Sequence, residues 1–173
     1  WIDTKAILEK YGRYVASVLA RSLQVARGSH PVDAVVCPAD RAALLLAYGL
    51  ATYLNVPPRM VIALERSHID SSTPAGASKL VGERYREVAG KSVLLVDDGA
   101  NSLRTFHGMS NLINAHRVHS SAFAVFLSRL DRTRTDELRV ALGDRFVYFY
   151  HWPVPPRSAG RCPICLQQQG TEG

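Results

Sequence analysis

Apolar positions along the chain fall into two rhythms that alternate. From Lys5 to Ala26 they recur at helical spacing, as Ile7, Leu8, Tyr11, Val15, Val18 and Leu19, which predicts an amphipathic helix with Thr4 as its N-cap. Asp33 to Cys37 (DAVVC) is short, β-branched and stopped by Pro38, the pattern of a buried strand. Arg41 to Leu54, rich in Ala and Leu, predicts a helix that ends near Asn55 and Pro57, and Met60 to Leu64 a second buried strand. Ser92 to Val96 (SVLLV) is the clearest strand, followed by a helix over Thr105 to Ala115. Ser121 to Leu127 and Phe146 to Tyr150 complete the set of strands. The helix between them runs from Thr135 to Leu142, with Gly143 as its C-cap.

Strands that are apolar throughout, rather than on alternate residues, need cover on both faces, and their alternation with helices implies parallel pairing. The expected architecture is therefore α/β: a doubly wound, mostly parallel five-stranded sheet with helices on both faces. Three segments follow. Residues 1–28 form an N-terminal helix packed on the core, 29–150 the α/β core, and 151–173 a tail or small hood rich in Pro, Gly and Gln. Glu65 to Gly82 breaks the rhythm with serines, Thr73, Pro74 and two glycines, and so long an irregular stretch marks a functional or mobile loop. No internal repeat or low-complexity tract is present.

Length and composition narrow the classes. The 173 residues suit a single core. The longest apolar run, Ala42 to Leu50, is too short to cross a bilayer. No basic region followed by an apolar one opens the sequence, so a cytoplasmic protein is expected, and the start at Trp1 rather than Met suggests a segment of a longer protein. A formal charge of +6 suits an anionic partner. The arginines are scattered, with no basic block and no aromatic-plus-glycine signature, so nucleic acid is not the expected partner.

Three cysteines are too few for a disulfide framework and fit a reducing compartment. Cys37, inside an apolar run, reads as a small buried hydrophobe. Cys162-Pro-Ile-Cys165 is a knuckle that can supply half of a zinc site. His151 is the nearest further ligand, and the alternative is a free thiol pair on a tail.

Candidate chemistry concentrates after the clearest strand. Val93-Leu94-Leu95-Val96 leads into Asp97-Asp98, then Gly99-Ala100-Asn101-Ser102-Leu103-Arg104-Thr105 and a helix. In open α/β sheets ligands bind at the carboxyl ends of the strands, where helix N-termini offer N–H groups to phosphate. Adjacent carboxylates there accept hydrogen bonds from a diol, or hold Mg²⁺ that a pyrophosphate also ligates. Together these parts fit a ribose 5-phosphate. The plain alternative is an Asp pair that merely caps a turn.

Gly90-Lys91-Ser92-Val93-Leu94-Leu95-Val96-Asp97-Asp98 resembles the ribose-phosphate signature of the type I phosphoribosyltransferases: four apolar residues, two acidic ones, then a small-residue loop ending in Thr. The resemblance covers roughly residues 30–150. It implies the fold just described and a phosphoribosyl or nucleotide ligand, such as 5-phosphoribosyl 1-diphosphate (PRPP) with Mg²⁺. The expected assembly is a homodimer or part of a larger protein or complex, away from membranes. Carried over by position, it implies that Asp97 and Asp98 contact the ribose hydroxyls. Asn101, Ser102, Leu103, Arg104 and Thr105 would line the 5-phosphate, with Ala39, Asp40 and Arg41 at the pyrophosphate. Arg66 or Lys79, on the stretch where the family has its flexible lid, would close over that charge. Phe149, Tyr150, His151 and Trp152 stand where a base would be met, although strand aromatics also pack as core.

The chain departs from the family pattern at four places. Leu103 stands where the family has a glycine, so its side chain either fills the phosphate seat or turns into the core. Asn101 stands where some purine enzymes of the family have an aspartate, and an amide is no general base. Gly99-Ala100 replace a branched apolar pair. Arg41-Ala42 lacks the family's glycine turn, and Arg41 reads equally well as a helix-surface residue. Two functions stay open: a transferase that moves phosphoribosyl to a nitrogenous base, or a non-catalytic nucleotide-sensing or interaction module.

Overall fold

A computed structural model of the chain describes residues 2–28, 31–65, 67, 69, 87–114, 118 and 120–153. Helix α1 (Thr4–Arg27) is followed by β1 (Ala34–Pro38), α2 (Arg41–Tyr53) and β2 (Val61–Leu64). Then come β3 (Ser92–Ala100), α3 (Arg104–Asn114), β4 (Ser120–Ser128), α4 (Arg132–Leu142) and β5 (Phe146–His151). The strands form one sheet in the order β2-β1-β3-β4-β5. All four pairings are parallel, so the mostly parallel sheet read from the sequence is parallel throughout.

The order reverses direction once. The crossover through α2 carries the chain from β1 outward to β2, while those through α3 and α4 step the other way, from β3 to β4 to β5. Right-handed crossovers of opposite direction put their helices on opposite faces. Accordingly α1 and α2 pack together over one face, and α3 and α4 cover the other. The strands stay apolar because both faces are covered: Val35, Val36, Val93, Leu94, Leu95, Val96, Ala124 and Val125 are all fully buried.

Helix α1 lies on the sheet along Leu8, Val15, Leu19 and Leu23. It approaches α2 so closely that a Cβ at Gly49 would stand 2.9 Å from the Cβ of Ala16. Its cap is Asp3 rather than Thr4, with the Asp3 carboxylate accepting from the N–H of Ala6 at 3.0 Å. Aspartate ranks above threonine at this position, and Thr4 is left for another partner. Gly143 ends α4 with φ of +59°, as its position after Leu142 led one to expect.

Helix α4 starts at Arg132 rather than Thr135, because Asp131 caps it; a further difference in element boundaries concerns β3. Gly99 and Ala100 are not loop but the last strand residues, paired with Leu127 and Ser128 of β4. Hydrogen bonding to β4 carries the strand past the acidic pair, and this pairing is invisible to a local pattern. The connection to α3 shrinks to Asn101, Ser102 and Leu103.

Candidate functional site

The single reversal in strand order lies between β1 and β3. At such a switch point the two crossovers diverge and leave a crevice outside the carboxyl ends of the strands. Strand β1 delivers Asp40 to this crevice through Ala39, and β3 delivers Asp97 and Asp98. Carboxylate oxygens from Asp40, Asp97 and Asp98 lie within 4.8 Å of one another. Sequence reasoning had put Asp40 beside a pyrophosphate and the other two beside a ribose; the fold brings the three into one cluster.

Each acid is held differently. Asp40 is the N-cap of α2, accepting from the N–H of Ala43 at 2.8 Å. Asp97 is only 2% exposed, and its Oδ1 accepts from the N–H of Asp98 at 2.9 Å. Asp98 is half-buried, and the hydroxyl of Thr4 donates to its Oδ2 at 2.6 Å. Three hard, anionic oxygen donors at this spacing fit Mg²⁺, which takes carboxylate and phosphate oxygens in preference to nitrogen or sulfur.

Cys37, fully buried near the end of β1, stands beside the cluster. Burial, reinforced by the negative fields of Asp40 and Asp97, pushes its thiol up to about 12. The thiol is therefore neutral at physiological pH and serves as packing, not as a nucleophile.

Next to the acids the chain turns into α3. Asn101 and Ser102 are exposed, and the Ser102 hydroxyl accepts from the N–H of Arg104 at 3.4 Å. Leu103 is 6% exposed and belongs to the core with Ala100 and Phe106. Its carbonyl accepts from the N–H of His107 at 2.8 Å, which makes it the N-cap residue of α3. The side chain thus packs into the core. Arg104 and Thr105 begin the helix, Arg104 exposed and Thr105 half-buried.

The pyrophosphate residues are less uniform. Ala39 is exposed, but its N–H donates to the carbonyl of Leu64 at 2.7 Å. Arg41 begins α2 with a side chain 70% exposed and pairs with Glu9 of α1 at 3.0 Å. Among the aromatics read from the sequence, Phe149 stacks on Phe126 and meets the edge of Tyr14, so it packs beneath α1. Tyr150 and Trp152 are exposed, and the ring of His151 lies 5.1 Å from that of Tyr148. Arg66, Lys79, Cys162 and Cys165 lie outside the described residues.

Sequence reasoning missed Thr4 as a neighbour of the acids, because the contact spans 94 positions and has no local signature. The one available signal was Asp3, a better cap, which frees Thr4.

The model of the phosphoribosyl transferase domain matches residues 5–157. No curated protein matches the chain. Among solved structures, adenine phosphoribosyltransferase from Thermoanaerobacter pseudethanolicus superposes with a TM-score of 0.58 at 15% identity, over 86% of this chain and 84% of that one. Orotate phosphoribosyltransferase from Aeropyrum pernix gives 0.57 at 18% identity, over 100% and 85%. A hypoxanthine phosphoribosyltransferase from Staphylococcus aureus gives 0.50 at 13% identity, over 85% and 76%.

Proposed function

The chain belongs to the phosphoribosyltransferase family, and on that premise we propose that it binds PRPP at the β1/β3 switch point and transfers its phosphoribosyl group to a nitrogenous nucleophile. In this reading Asp97 and Asp98 accept hydrogen bonds from the ribose hydroxyls. The turn from Asn101 to Leu103 and the first residues of α3 cradle the 5-phosphate through N–H groups and the helix dipole. Mg²⁺ held near Asp40, Asp97 and Asp98 would neutralise charge on the pyrophosphate. The bond from C1 to the pyrophosphate oxygen breaks, with its electron pair leaving on pyrophosphate. The nitrogen lone pair then forms the new bond to C1 of an oxocarbenium-like ribose. Asn101 has no basic atom, so the proton lost from nitrogen passes to pyrophosphate or water. The protein's part is to align the reactants and stabilise the leaving charge.

The observation that carries this reading is the burial of Leu103. A leucine in the glycine position of the loop counts against phosphate binding only if it fills the seat, and here it packs into the core. A second reading, nucleotide binding without turnover, draws on Ala39, whose N–H is already used by Leu64 and is not offered to a pyrophosphate.

Calorimetric titration with PRPP, with and without Mg²⁺, tests the site without knowledge of the base. Saturable binding is expected, weakened about tenfold or more (~1.4 kcal/mol) in the Asp97→Asn, Asp98→Asn double variant. Equal affinity in the double variant rejects the site. Binding together with failure to release pyrophosphate in the presence of any of a panel of nucleobases selects the second reading.

A further inference from the structure

Helix α1 precedes the sheet, and its first residue, Thr4, lies just outside the span matched by the family model. Yet its hydroxyl reaches Asp98 Oδ2 at 2.6 Å, the distance of a hydrogen bond to an ionised acceptor. Thr4 is available for this because Asp3 caps the helix. Asp98 itself is half-buried, two residues before β3 ends at Ala100. The backbone N–H of Asp98 is already committed to Asp97 Oδ1. The two contacts therefore orient both carboxylates of the pair, one through the main chain and one through α1.

A carboxylate free to rotate must be ordered when a diol binds, and a donor that holds one oxygen in advance removes part of that cost. We infer that Thr4 is a positioning residue for Asp98: its hydroxyl holds Oδ2 so that the carboxylate meets the ribose hydroxyls in a single orientation, which makes the start of α1 part of the ligand site. This rests on the assignment of Asp97 and Asp98 to ribose. It adds to that assignment a residue from an element that the ribose-phosphate signature does not contain.

Thr4→Val keeps the size and β-branching and removes the donor, whereas Thr4→Ser keeps the donor; Asp3 still caps the helix in both. Calorimetric titration with ribose 5-phosphate and Mg²⁺ is compared for the wild type, these two variants, Asp98→Asn, and Thr4→Val in the Asp98→Asn background. The expected result is about a tenfold loss for Thr4→Val, affinity within about twofold of wild type for Thr4→Ser, and no further loss when Thr4→Val is added to Asp98→Asn. A merely structural role would instead lower Tm and affinity alike in both backgrounds, and that outcome overturns the inference. So does wild-type affinity in Thr4→Val when Asp98→Asn binds weakly; the ribose site then stands without Thr4. Wild-type affinity in Asp98→Asn, or no binding by the wild type, rejects the ribose assignment and Thr4's role with it.

Discussion

Leu103 shows how a residue's type can leave two roles open. At its position in the loop a glycine would let the backbone approach a phosphate, so a leucine there either fills the phosphate seat or turns into the core. The side chain is buried and belongs to the core, as do Ala100 and Phe106. Glycine at this place would thus remove apolar burial. Leu103→Gly is expected to lower stability by about 2 kcal/mol or more, read from urea melts, and to leave affinity for PRPP no tighter than wild type. Tighter binding by the glycine variant would mean that the side chain had been in the ligand's way. Arg41 shows the opposite case: a charge in a suggestive place is held on the surface by Glu9.

At the level of elements, what aligns the site is close contact between segments far apart in sequence. Helix α3 carries Gly108 on its buried side, where a Cβ would stand 2.5 Å from the carbonyl oxygen of Ile69 and 2.6 Å from its Cγ2. Two effects compete in Gly108→Ala. Helix propensity favours alanine by about 1 kcal/mol, while forcing a methyl against main chain costs about 1–3 kcal/mol or more. The obstacle is a backbone carbonyl rather than the end of a flexible side chain, so the second effect wins. Gly108→Ala should therefore be net destabilising in chemical denaturation, although the same change at an exposed helical glycine would stabilise. Because α3 starts at the turn after the acidic pair, its displacement should weaken ligand binding as well. A more stable Gly108→Ala protein would show that α3 does not sit this close to Ile69.

Over the whole molecule, the switch point gathers negative charge, and the buried Cys37 responds to it. With its thiol raised to about 12 from an ordinary value of 9.0, the folded protein keeps a proton that the unfolded chain gives up in between. The contribution of the neutral thiol is intact below pH 9 and is lost as pH rises toward 12, a slope of about 1.4 kcal/mol per pH unit. Urea melts at pH 8 and pH 10.5 should thus show a smaller alkaline loss of stability in Cys37→Ala than in wild type. Native protein should also resist iodoacetamide at Cys37 at pH 8.5, with labelling of that peptide only after denaturation. Ready labelling of the native protein would contradict both the burial and the field of Asp40 and Asp97.

Periodicity and motif were enough for much of this. Apolar runs such as Val93 to Val96, alternating with helices, indicate a parallel sheet covered on both faces, and turn residues such as Gly143 follow from local backbone geometry. The acidic pair and the helix after it were legible because they are contiguous in sequence. Tertiary structure alone decided the rest. The meeting of Asp40 with Asp97 and Asp98 depends on β1 and β3 becoming neighbours. The extension of β3 through Gly99 and Ala100 depends on hydrogen bonds to β4. The direction of Leu103 and the reach of Thr4 to Asp98 depend on which surfaces the packed helices leave open. Local sequence carries propensity and period, but a side chain's partner across the fold is set by burial and hydrogen-bond satisfaction among all the elements at once.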